Sequence, residues 1–199
     1  MPLGANKAAI MGVAGVSAGA SVVLLSSQTA TGESSVAFTS DITSTYGEYI
    51  FKFYNVGPGT DTKALQVAFS TDGGSNYGLT KTTTNFYAYN KEDGSSPAIT
   101  YQEGSDLEQG TGVVQLAHSL GSDADQSSAG EIHLFNPAGT TYVKHFYART
   151  QSAMGDASGD YSTDTFVGGY INQTDDVDAV IFNFQTGVFD GKFKMWGVK

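Results

Sequence analysis

Positions 48–56 read EYIFKFYNV, and the alternation in this stretch limits the fold more than any other feature: Tyr49, Phe51 and Phe53 fall on one side of an extended chain, Ile50, Lys52 and Tyr54 on the other. A helix would spread those rings around its axis, whereas a strand lines them up at every second residue. Strand-like stretches recur, with turn residues between them, at 22–30, 34–42, twice within 64–84, at 84–90, weakly at 98–102, at 112–120, on both arms of 131–150, and at 164–172, 177–185 and 191–199. No segment carries a 3.6-residue apolar period. The chain is therefore expected to be all-β, a jelly-roll-like β-sandwich of about ten strands. No repeat of fixed period is present, which argues against a propeller or a solenoid.

Turn chemistry agrees with this reading, since the sequence holds 25 glycines. Asp72-Gly73-Gly74 predicts a hairpin joining the two strands of 64–84, because Asp-Gly supplies the positive φ that tight hairpin turns require. Pro137 to Thr140 predicts a second hairpin, with Asn136 opposite Thr141. MGDASGD at 154–160 reads as a loop, and the polar stretches 91–109 and 121–130 are the widest loop regions, hence candidate contact surfaces.

The opening residues do not fit the strand pattern. Residues 1–20 form a Gly/Ala-rich arm and 21–199 the β-sandwich domain. Lys7 followed by AAIMGVAGVSAGAS imitates a secretory signal, but Gly12, Gly15 and Ser17 interrupt the apolar middle such a signal needs. The arm is expected to order by lying on a neighbour. Gly4, Ala5, Asn6, Lys7, Ile10 and Met11 are its candidate assembly contacts, because small residues allow close backbone approach. No apolar run is long enough for a transmembrane helix, so membrane insertion is not expected.

Charge and cysteine content exclude further classes. Twenty acidic residues against ten basic ones give a net charge of −10, which removes the usual electrostatic source of nucleic-acid affinity. With no cysteine, stability must come from burial and hydrogen-bond ladders.

Few motifs carry chemistry. Gly15-Val16-Ser17-Ala18-Gly19 matches the nucleophile elbow in letters, but no strand and helix flank it. In the register set by Asn136 and Thr141, His133 faces Lys144 and His145 faces Ile132, so the two histidines point to opposite faces and cannot share an ion. His118 stands in another strand. Asp123, Asp125, Asp156 and Asp160 offer oxygen ligands that suit calcium. The first pair, however, lacks a calcium loop's sixth-position glycine (Ser128) and twelfth-position glutamate (Leu134). Solvated loops are the expectation, and no cofactor is called for. Tyr87, Tyr89, Tyr101 and Tyr161 lie in or beside the polar regions and are candidates for stacking on a sugar ring.

Five stretches together resemble a known group: LGANKAAIMG, the Tyr-x-Glu-Tyr-Ile-Phe-x-Phe run at 46–53, STDGGSNY at 70–77, HLFNPAGTTYVKHFYART at 133–150 and the ending GKFKMWGVK. The chain is similar, over nearly its whole length, to virion structural proteins of comparable size from phages of marine bacteria, cyanophages included. That resemblance implies a non-enzymatic virion component, either a tail fibre or appendage or a capsid decoration protein. The motifs behind it concern packing, with no catalytic residues among them. The expected partners are other virion proteins and further copies of the chain, as a homotrimer. A closed ring of that kind buries sheet faces and edges. Host cell-surface glycan is a further expected contact, and a carbohydrate-binding module is the alternative reading.

Overall fold

The computed structural model describes residues 21–156 and 159–199, so the arm contacts Gly4 to Met11 and the Ser17 motif lie outside the described residues. Among the described residues there are twelve strands and no helix: β1 (Val22–Glu33), β2 (Ser35–Phe38), β3 (Glu48–Pro58), β4 (Lys63–Ser70), β5 (Lys81–Lys91), β6 (Ala98–Tyr101), β7 (Val114–Leu120), β8 (Ser128–Phe135), β9 (Lys144–Asp156), β10 (Gly159–Ile171), β11 (Ala179–Phe184) and β12 (Phe189–Val198). They form an eight-stranded sheet in the order β1-β12-β3-β8-β9-β10-β5-β6 and a four-stranded sheet in the order β2-β11-β4-β7.

The strand order identifies the architecture. With β5–β6 and β9–β10 set aside, the other eight strands pair first with last: β1 with β12, β2 with β11, β3 with β8 and β4 with β7, every pair antiparallel. This is one long hairpin wound into two sheets, a jelly roll. The two remaining hairpins are insertions that widen one sheet and leave the other at four strands.

The core lies between the sheets. Tyr49, Phe51 and Phe53 of β3 all point inward and are buried, as their alternation requires. Phe182 of β11 meets Phe193 at 5.1 Å, Phe51 and Phe53 at 6.0 Å and Phe38 at 6.3 Å between ring centroids. Those tilted and edge-on arrangements are the ones aromatic quadrupoles favour.

Four local expectations need correction. Asp72-Gly73-Gly74 does not close a hairpin, since β4 and β5 belong to different sheets. The two glycines do take positive φ, 68° and 85°. They form a corner between sheets, where Asp72 Oδ1 accepts from the Ser70 hydroxyl at 2.7 Å and the Asn76 amide at 2.8 Å, and Asp178 accepts from the Gly73 amide at 2.9 Å. The 84–90 segment continues β5, and most of 154–160 extends β9 and β10, which pair from Gly159↔Asp156 onward. The hairpin of β8 and β9 sets Leu134 against Phe146 and His133 against Tyr147, three residues from the expected register. An odd shift reverses the facing, so His133 and His145 share the outer face of the large sheet.

Candidate functional site

The inserted hairpins carry the large sheet past the edge of the small one, and the inner face of the overhang is closed only in part. Residues 102–113 run as a strap along the edge of β5 beyond β6, with Lys81 and Gly110 exchanging backbone hydrogen bonds at 2.8 and 3.0 Å. The Leu107 amide donates to Thr83 Oγ1 at 2.9 Å, the Thr83 amide to Leu107 O at 2.9 Å, and Asn85 Nδ2 to Gln115 O at 3.1 Å. Beyond the strap, the inward positions of β5 continue as Tyr87, Tyr89 and Lys91, with Tyr161 opposite Lys91 and Thr163 opposite Tyr89. Together with Ser96 and Met154 these residues line an open groove of about 330 Å³.

The rings in the groove hold one another. Tyr87 and Tyr89 are 5.5 Å apart and tilted by 34°, while Tyr89 meets Tyr161 edge-on at 6.0 Å. Lys91 Nζ stands 5.2 Å from the centre of the Tyr161 ring. His118 of β7 backs Tyr87 at 5.6 Å and is itself fixed by Gln115 Nε2 at 2.9 Å and Ser105 Oγ at 3.3 Å. Burial holds the His118 pKa below its ordinary value, so the ring favours its neutral form. Burial first, and then neighbouring Tyr89, raise the Tyr87 phenol, so it stays protonated and able to donate.

Three of the four tyrosines singled out from the sequence thus meet in one place. Tyr101 does not. It lies opposite Phe86, on the outer face, and its hydroxyl donates to Asp106 Oδ2 at 2.7 Å. Sequence reasoning missed Lys91 and Thr163, although Lys91 follows Tyr87 and Tyr89 at the same parity. It also missed Met154, which reaches the groove through tertiary pairing that carries no local signal, and His118, which backs Tyr87 without lining the groove, while Ser96 falls within the 91–109 stretch read as a contact surface.

The outer face of the large sheet is the second notable surface. One cross-strand row runs Leu24, Trp196, Ile50, His133, Tyr147; the next runs Lys194, Lys52, Glu131, Arg149, Phe166, Phe86, Tyr101. Tyr147 stacks on His133 at 4.5 Å and 12°, and Phe86 on Phe166 at 5.3 Å and 5°. Arg149 lies over Phe166 at 5.0 Å while pairing with Asp164 at 2.7 Å. His133 sits between two carboxylates, bonding Glu48 through Nδ1 with Glu131 3.4 Å from Nε2. His145 stands apart beside Tyr170, at 6.1 Å.

The acidic candidates remain dispersed. Asp123 and Asp125 are exposed, and Asp160 Oδ1 accepts from Gln126 Nε2 at 3.0 Å. The Asp156 side chain lies outside the described residues. Among the described residues, no group of three or more histidine, aspartate or glutamate side chains is arranged to hold a metal ion. No protein-family model, curated protein or solved structure matches this chain.

Proposed function

We propose that the chain is a non-enzymatic structural subunit of a bacteriophage particle, a tail fibre or appendage component held in a homotrimer, with residues 1–20 as its anchor. One observation carries the assembly part of this reading. The outer face of the large sheet presents Leu24, Tyr147, Phe166, Phe86 and Tyr101 to solvent, with exposures of 36–49%. The exposed rings of Tyr147, Phe166, Phe86 and Tyr101 on neighbouring strands, with Leu24 at the far edge of the same face, mark a protein-protein surface. The adjoining Lys52–Glu131 and Arg149–Asp164 pairs supply charge of both signs for matching a second copy. The sequence resemblance to marine phage virion proteins supports the particle, and the jelly roll suits repeated packing of copies.

The test has two parts. Sedimentation of the purified protein is expected to give a trimer, and Phe166→Asp, at an exposed position, is expected to shift it to a monomer with unchanged circular dichroism. A wild-type monomer at micromolar concentration would overturn the trimer. Electron microscopy of intact particles is expected to place copies around the tail. Copies on capsid axes would replace the appendage reading with a decoration protein, and absence of the chain from purified particles would end the virion reading.

A further inference from the structure

We propose that the groove of Tyr87, Tyr89 and Tyr161 is a binding site for a neutral pyranose sugar. The proposal rests on the groove alone and stands or falls independently of the particle reading. Pyranose rings have one face of C–H bonds and a rim of hydroxyls, so a site for them needs an aromatic face beside polar groups. The groove has both. Its three rings are tilted against one another by 34° and 63°, which makes a trough with more than one stacking plane. The phenol groups, the Ser96 hydroxyl and the Lys91 ammonium surround the trough with hydrogen-bonding groups.

Size and rigidity narrow the ligand class. A volume of about 330 Å³ lies at the small end of ligand pockets, enough for one or two sugar rings. The rings are held before any ligand arrives: Gln102 bonds the Tyr87 side chain, His118 backs it, and Lys91 covers Tyr161. Little ordering entropy is then lost on binding.

Other ligand classes fit less well. A peptide adding a strand would pair at β6, the free edge of the sheet, and so beside the groove rather than on its rings, since β10 is paired with β9 and β5, and β5 with β10 and β6. An anionic sugar would approach a protein of net charge −10, against which the groove lining sets one positive side chain, Lys91.

The experiment is a titration of the full chain, carrying isotope-labelled tyrosine, with methyl glycosides and β-linked disaccharides of glucose, galactose, mannose and N-acetylglucosamine, and with glucuronate as the anionic arm. At least one neutral sugar is expected to shift the Tyr87, Tyr89 and Tyr161 ring resonances while leaving Tyr101 unmoved. Tyr89→Ala is expected to weaken that binding about tenfold or more, and Tyr89→Phe, which keeps the stacking face, by no more than about threefold. No neutral sugar shifting these rings at millimolar concentration would overturn the proposal. So would tighter binding of glucuronate, or undiminished binding by Tyr89→Ala. If Tyr89→Ala fails to fold, the resonance pattern of the wild-type protein decides.

Discussion

The inner face of the eight-stranded sheet changes character halfway across. On β3 and β12 it carries Tyr49, Phe51, Phe53, Phe193 and Met195; on β10 and β5 the apolar Val167 and Ile171 are interleaved with Thr163, Thr165, Lys81, Thr83, Asn85, Tyr87 and Tyr89. Both halves alternate with period two, and both point these residues inward. What differs is the cover. The first half faces the small sheet, whose own hydrogen bonds are satisfied internally, so hydrocarbon meets hydrocarbon. The second half meets the strap and the unpaired side of β7, the edge strand of the small sheet, whose backbone groups need partners: Thr83 accepts from the Leu107 amide and Asn85 donates to Gln115 O. Where the strap ends, the same positions become tyrosine, a side chain that tolerates half burial. Residue type along one strand face thus reports what lies above it.

Phe182→Ala attacks the first half at its centre and has the largest expected effect. The ring is fully buried among Phe38, Phe51, Phe53 and Phe193. Its removal is expected to cost about 3–5 kcal/mol through lost transfer energy and the cavity left behind, read by denaturant unfolding. A loss below about 1 kcal/mol would mean the two sheets are not closely packed at this point.

Lys81 probes the second half. It is fully buried, and burial lowers its pKa to about 8. Because the folded value lies below the unfolded one, the folded state sheds its proton first and stability rises with pH. The gain is about 2 kcal/mol between about pH 7 and about pH 9.5. Lys81→Met is expected to be more stable than the wild type at neutral pH and to lose this rise. Parallel pH curves for the two proteins would show that Lys81 reaches water.

How much of this was legible in the sequence depends on distance along the chain. The inward face of β3 was plain in EYIFKFYNV, because alternation is a local property. The Asp72-Gly73-Gly74 corner was not, since a sandwich corner and a hairpin make the same demand for positive φ, and only the destination of the next strand separates them. The register of β8 and β9 failed for a related reason. Their strands end at Phe135 and Lys144, so the loop is longer than Pro137 to Thr140, and loop length sets register. The groove was half legible: tyrosines beside polar loops were visible, but only the pairing of Tyr101 with Phe86 sends that ring to the other face.

The smallest expected effect returns to the jelly-roll half at acid pH, where Lys81 is protonated in both the folded and unfolded states and adds no pH dependence. Asp72 holds the corner after β4 by accepting from Asn76 and Ser70, and these hydrogen bonds lower its pKa to about 2. A lowered carboxylate contributes stability above its ordinary value of 3.8, and that contribution disappears as pH falls through about 2. Asp72→Asn keeps an acceptor oxygen for Ser70 and the Asn76 amide but removes the charge. The variant is expected to be slightly less stable than the wild type at neutral pH, with the two unfolding curves converging in acid. A difference that persists at the lowest pH would assign the loss to altered corner geometry. A difference absent at every pH would mean that Asp178, which holds the Gly73 amide from β11's side of the corner, suffices to keep the turn.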